Sequence, residues 1–382
     1  MKALFLILPE KGHINPYIGP AQALRQLQWE VIISAPGDIS GQIEKAGLTF
    51  HKGLIGKEQV QPMKGKELVQ LVNNSQAMKE WIRSLLLNVS DLPKVKSILT
   101  EVRPDVVVVD PLYYAAVIAV EQLALPWVSM SNSLNPILEK EVKSPLLDML
   151  EELSNARDEL FKTHGVRVEF NGCDALSKHL TIAFCTENFV GKRSGVQLVG
   201  PSLPLEARGD ETSVVHKKQK RTIYVSFGSQ IYHWPEIFQK ISDATEGLEV
   251  QVIMSVGNLK DSLHVHRNIT LYSYAPQIEI LPATDLFITH GGANSVMEAI
   301  ALGVKRLWIS PMCNDQYHQS YYIEKSGIGK TYDLQQMSTE EIREKISEFL
   351  SDSEMALRMK AVAHSYQQNG AMVSAELIRQ IL

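Results

Sequence analysis

Short apolar runs recur along the chain at 3–8, 31–34, 106–109, 127–129 and 180–184, and again at 222–225, 250–254, 286–288 and 307–309. Each is too short for a helix and is bounded by polar, Gly or Pro positions, so each predicts a strand. Between them apolar residues fall at helical spacing, as in Met78, Trp81, Ile82, Leu85 and Leu86, or in Leu146, Leu147, Leu150 and Leu153. Strands alternating with helices predict parallel sheets with helices on their faces, an α/β fold. The two sets of strands are separated by Pro201-Ser202-Leu203-Pro204 and then by 205–220, where charges, Gly and Ser follow no period and read as a linker.

This pattern divides the chain into an N-terminal domain at 1–204, the linker at 205–220, a C-terminal domain at 221–360 and a tail at 361–382. Helical spacing in the tail is interrupted near Asn369-Gly370, and Ala375, Leu377, Ile378, Ile381 and Leu382 then form an apolar face. A length of 382 residues suits two domains. With 45% hydrophobic and 21% charged residues, the chain can fill two cores. A net charge of −5 without a basic stripe argues against nucleic acid as a partner. Cys173, Cys185 and Cys313 are odd in number and form no CxxC pair, so neither a disulfide framework nor a zinc site is expected, and the reducing cytoplasm is the expected compartment. No stretch approaches the ~20 apolar residues of a membrane span, and the run at 3–8 is broken by Pro9 and charges.

Three places carry candidate chemistry. The first follows the run at 286–288, where Thr289-His290-Gly291-Gly292-Ala293-Asn294-Ser295 leads into the helical pattern Val296-Met297-Glu298-Ala299-Ile300. A strand, a glycine turn and a helix start present unpaired N–H groups and the positive end of the helix dipole to an anion. Asn294 or Ser295 can cap the helix and also reach a phosphate oxygen. Alone, the turn is equally consistent with packing and capping. The second place is Pro9-Glu10-Lys11-Gly12-His13-Ile14-Asn15-Pro16, a histidine loop between a strand and a helix. With an ordinary pKa near ~6.5, His13 suits proton transfer at neutral pH. The third is Asp110, which ends the four-valine run at 106–109, where open α/β sheets carry functional side chains. Asp110 either fixes the tautomer of His13 or caps a helix over 112–123.

The stretch from Tyr274-Ala275-Pro276-Gln277 through the glycine turn to Asp315-Gln316 closely resembles the donor-sugar signature of family 1 glycosyltransferases. Gly12-His13, followed by Pro16, resembles the family's Gly-His-x-x-Pro loop, and the strand and turn Thr222 to Gln230 resemble the first strand of its donor domain. The resemblance implies two facing doubly wound, Rossmann-like domains of GT-B type, with the active site in the interdomain cleft. It implies that Tyr274, with Ala275 and Gln277 beside it, stacks on uracil, and that His290, Gly292, Asn294 and Ser295 hold the diphosphate together with Gly228 and Ser229. Glu298 would bind the ribose hydroxyls and Asp315-Gln316 the sugar. His13 would be the general base and Asp110 its partner.

Two departures lie downstream of the turn, Lys305 where the family has Pro and Gln319-Ser320 where it has Asn-Ala, and they loosen the sugar assignment. The implied activity is inverting, metal-independent transfer of a hexose, glucose by default, from a UDP-sugar co-substrate to a hydroxyl of a small lipophilic acceptor. No other cofactor is implied. The alternatives are a dTDP-sugar donor, a lipid-linked acceptor, or a non-catalytic subunit that binds a nucleotide sugar. Residues 52–89 and 135–174 match no family signature and are expected to surround the acceptor. Met78, Trp81, Ile82, Leu85 and Leu86 among them read first as core packing and second as a lipophilic wall.

Overall fold

The computed structural model describes residues 1–56, 63–210, 220–230 and 232–382. Residues 1–198 supply β1 (Lys2–Leu6), β2 (Glu30–Ser34), β3 (Thr49–Phe50), β4 (Val106–Val109), β5 (Trp127–Ser131), β6 (Glu169–Asn171), β7 (Asp174–Leu176), β8 (Leu180–Ala183) and β9 (Gln197–Leu198). Residues 221–331 supply β10 (Arg221–Ser226), β11 (Val250–Ser255), β12 (Ile269–Tyr272), β13 (Leu286–Thr289), β14 (Leu307–Ile309) and β15 (Gly329–Thr331). Among the described residues these form one sheet in the order β3-β2-β1-β4-β5-β8-β9 and a second in the order β12-β11-β10-β13-β14-β15, with β6 and β7 as a separate hairpin.

Neighbouring strands within each large sheet are parallel, and helices fill the connections, as the alternating pattern requires. The four valines of β4 are wholly buried because helices cover both faces of the sheet. In each sheet the chain order reverses beside the first strand. In the N-terminal sheet β1 lies between β2 and β4, and in the C-terminal sheet β10 lies between β11 and β13. Such a switch point leaves a crevice outside the carboxyl ends of the strands. His13 follows β1 and Asp110 follows β4, while Gly228 follows β10 and His290 follows β13. Thus all four leave the sheets at a switch point.

The histidine loop expected from the sequence is largely helical. Helix Lys11–Gln26 already contains His13 in its first turn, and Pro16 and Pro20 lie inside it. Pro20 has no N–H for the Pro16 carbonyl, and the Ser202 hydroxyl donates to that carbonyl instead, at 2.5 Å. The proline spacing therefore prepares a docking point for the start of the linker. Farther along, Gln22 accepts from the Leu205 N–H and donates to the Ala207 carbonyl, so residues 205–207 lie along the N-terminal domain. Residues 211–219 of the expected linker are outside the described residues.

The tail consists of helices Ser353–Ser365 and Gly370–Gln380, broken near Asn369-Gly370. The last helix crosses back onto helix Lys11–Gln26, burying Ala371, Ala375 and Ile378. Missing from the sequence reading are β3, β6, β7, β9, β12 and β15. These strands are short or lie at sheet edges, where one exposed face removes the continuous apolar run.

Candidate active site

The two crevices face one another and enclose a cleft of about 290 Å³. His13, Gly228, Ser229, Tyr274, Ala275, Gln277, His290, Gly292, Asn294, Ser295, Glu298, Asp315 and Gln316 all line it. Asp110 is wholly buried behind His13.

His13 Nδ1 lies 2.6 Å from Asp110 Oδ2, while Asp110 Oδ1 accepts from the Leu112 N–H at 3.1 Å. The carboxylate therefore both orients the imidazole and steadies the turn that follows β4. Helix Tyr114–Gln122 starts two residues beyond that turn and takes no cap from Asp110. With Nδ1 committed, Nε2 is the nitrogen left to face the cleft. Burial disfavours the imidazolium, but the charge and hydrogen bond of Asp110, then the charges of Glu10 and Asp315, outweigh it and raise the His13 pKa to about 9.

Across the cleft, His290 is tuned the other way. Burial lowers its pKa to about 4, so it is a neutral donor at physiological pH. Its ring is wedged between two backbone segments. A Cβ added at Gly228 would lie 2.9 Å from His290 Cε1, and one at Gly292 would lie 2.7 Å from Nε2, so a side chain at either position would force the His290 ring to move. Helix Ala293–Ala301 begins directly after Gly292, with no side-chain cap, so its first N–H groups remain open to the cleft. That is the arrangement an anion needs.

Glu298 is one turn further on and buried. Its Oε1 accepts from Arg208 Nη1 at 2.9 Å and its Oε2 from Gln277 Nε2 at 2.7 Å. Arg208 also contacts Asp210, whose Oδ2 accepts from the Tyr274 hydroxyl at 2.7 Å. Sequence reasoning missed Arg208 and Asp210 by treating 205–220 as featureless. The available signal was Glu298 itself, because an acid in the apolar pattern of a buried helix needs a cation, and Arg208 is the one that meets it. Asp315 faces His13, and burial raises its pKa. Gln316 is partly spent, since its Oε1 accepts from the backbone N–H groups of Met312 and Cys313.

The opposite wall is apolar. Trp81, Ile82, Leu85 and Leu86 line the cleft with Leu112 and Leu146, whereas Met78 packs into the core. A further tie joins the two halves. His318 is wholly buried, with Nδ1 3.0 Å from Asn135 Oδ1 and Nε2 2.8 Å from Ser144 Oγ. Among the described residues no helix is long and apolar enough to cross a membrane.

Comparison with known proteins agrees with this geometry. Residues 209–367 match the UDP-glucoronosyl and UDP-glucosyl transferase family, and residues 11–136 match the glycosyltransferase family 28 N-terminal domain. The NDP-glycosyltransferase YjiC of Bacillus subtilis is 26% identical over 377 residues, covering 95% of this chain and 92% of that protein. Demethyllactenocin mycarosyltransferase of Streptomyces fradiae is 25% identical over 324 residues, covering 78% of this chain and 69% of its own length. In fold, the glycotransferase of kitacinnamycin superposes with a TM-score of 0.79 at 18% identity, covering 100% of this chain and 99% of its own. The Streptomyces sp. SF2575 glycosyltransferase SsfS6, crystallised with thymidine diphosphate, superposes with a TM-score of 0.71 at 18% identity, covering 100% and 99%. Paired parallel sheets, a glycine turn opposite a histidine–aspartate pair, and these matches along nearly the whole chain place the protein among the family 1 glycosyltransferases, enzymes of GT-B fold.

Proposed function

We propose that the enzyme transfers a hexose, glucose first, from a UDP-sugar to the hydroxyl of a small lipophilic acceptor, with inversion and without a metal. The observation that carries this reading is the placement of the His13–Asp110 pair and the His290 glycine turn in one cleft that has an apolar wall. Tyr274 stacks on the base, Glu298 takes the ribose, and the diphosphate lies on the start of helix Ala293–Ala301 beside His290, Gly228 and Ser229. Asp315 and Gln316, whose Nε2 has among the described residues only the weak acceptor Cys313 Sγ at 3.6 Å, take the sugar hydroxyls. The acceptor rests on Trp81, Leu85 and Leu112 with its hydroxyl at His13 Nε2.

In the reaction, Nε2 takes the hydroxyl proton as the acceptor oxygen bonds to the anomeric carbon. The bond from that carbon to the diphosphate oxygen breaks, and the diphosphate leaves with the electron pair. Asp110 balances the imidazolium that forms, and the helix start and neutral His290 receive the charge on the leaving group. Positioning and electrostatics supply the catalysis, with no covalent intermediate.

A dTDP-sugar is the second reading, favoured by the neighbour crystallised with thymidine diphosphate. The reducing cytoplasm suits three buried, unpaired cysteines. Thermal unfolding with UDP and with dTDP decides between donors, because a ligand at a hundred times its Kd adds about 2.7 kcal/mol of stability. A shift with UDP supports the first reading and a shift with dTDP alone the second. No shift with either overturns both.

A further inference from the structure

Several donor-site groups are already engaged by the protein's own chain. Lys11 Nζ sits 3.8 Å from the centroid of the Tyr274 ring and 3.2 Å from Asp210 Oδ2, and both Lys11 and Tyr274 line the cleft. One residue later, the Gly12 carbonyl accepts from Asn294 Nδ2 at 2.9 Å and from Asn132 Nδ2 at 3.0 Å. The Lys11 backbone is therefore within one residue of the start of helix Ala293–Ala301. Its side chain, however, is turned towards Tyr274 and Asp210.

The charges lining the cleft make this position consequential. Glu10, Glu298 and Asp315 line it, with Asp110 behind, and a nucleoside diphosphate would bring further negative charge. Among the described residues, the lysine and arginine side chains in its lining are Lys11 and Arg208. Arg208 is held at Glu298 and Asp210 with its side chain only 8% exposed. Lys11 is 36% exposed, whereas Asp210 is 7% exposed and keeps Arg208 and the Tyr274 hydroxyl as partners, so the ammonium can exchange Asp210 for another anion without stranding a buried charge. A lysine carries its ammonium on a flexible four-carbon stem, which lets it swing between partners that a rigid group could not serve.

We propose that Lys11 is a donor-binding residue for the diphosphate, supplied by the acceptor-binding domain. Asp210 and the Tyr274 ring hold its ammonium in the arrangement described above. When the donor binds, the base takes the ring face and the ammonium moves to the diphosphate oxygens at the helix start. The inference rests on the nucleotide-sugar reading above. It adds to the open N–H groups and neutral His290 a full positive charge, next to the residue that deprotonates the acceptor.

Calorimetric titration of the whole protein and of Lys11→Gln with UDP and with uridine tests this, with dTDP and thymidine as the parallel pair. The expected result is a roughly tenfold weaker Kd for the diphosphate, while the nucleoside binds as well or better because the Tyr274 face is uncovered. Lys11→Arg should retain most of the diphosphate affinity. Equal losses for diphosphate and nucleoside, or an unchanged diphosphate Kd in Lys11→Gln, would overturn the assignment. If the unmodified protein binds neither UDP nor dTDP, the donor reading itself fails, and the proposal for Lys11 fails with it.

Discussion

His13 and His290 face each other across one cleft, are both packed into the protein, and are driven in opposite directions. His13 has three carboxylates around it, and its pKa rises to about 9. His290 has none within reach, sits between glycine turns at the end of β13, and its pKa falls to about 4. Burial acts on both in the same sense, so the difference comes from what each switch point places beside the ring. Asp110 at the end of β4 gives His13 a counter-charge, whereas the turns after β10 and β13 offer His290 only backbone and hydroxyl groups. One sheet thus places a histidine whose cationic form is favoured in the cleft, and the other a neutral histidine beside an open helix start.

The sharpest way to break this comparison is to remove the ring proposed to accept the proton. His13→Ala should lower kcat by about 10³–10⁴-fold while leaving UDP affinity unchanged. Steady-state rates alongside calorimetry would check this, and a variant that kept full turnover would end the base assignment. Asp110→Asn should cost less, on the order of 10²–10³-fold, because the ring remains but its tautomer and imidazolium are unsupported. If His13 is the base, its neutral form is the active one, and kcat/KM should rise with pH up to about 9. In Asp110→Asn the midpoint should move down towards neutrality. An unmoved midpoint would mean that Asp110 does not set the pKa of His13.

His290→Ala should weaken the diphosphate by about tenfold, as for one or two lost hydrogen bonds. Between pH 5.5 and 8, affinity should carry no slope from His290, since the ring stays neutral there. A slope in this window that vanishes in the variant would show that the ring binds as a cation.

The smallest effect is on stability, and the two rings should give opposite slopes. His13, raised in the fold, contributes stability that is full below about pH 6.5 and is lost as pH climbs to about 9. His290, depressed in the fold, costs stability as pH falls from about 6.5 to about 4, because the unfolded chain takes up the proton first. Each slope is at most about 1.4 kcal/mol per pH unit. Melting curves of His290→Asn should therefore decline less steeply on the acid side than those of the parent.

Much of this arrangement was legible in the sequence because the central strands are buried on both faces. The valines at 106–109 and the run at 286–288 show as unbroken apolar segments, and just beyond them stand Asp110, behind His13, and His290, in the cleft lining. Edge strands such as Thr49–Phe50 and Gly329–Thr331 gave no such signal. A similar limit applies to the apolar wall of the cleft. Spacing placed Met78, Trp81, Ile82, Leu85 and Leu86 on one helix, but could not tell that Met78 faces the core while Trp81 and Leu85 face the cleft.

By itself the sequence determined where strands end, which turns lack side chains, and which histidine and aspartate stand at strand ends, since these depend on local periodicity and on residue type at a single position. The pairing of His13 with Asp110 across 97 positions was expected only through the family resemblance, and the tertiary structure alone decided that Arg208 closes on Glu298 across 90 and that Lys11 reaches Tyr274 from the other domain. Such pairings have no local period to read. They arise because two parallel sheets, each opening at its own switch point, bring distant strand ends and a linker together, and the charges gathered there set the protonation of each histidine.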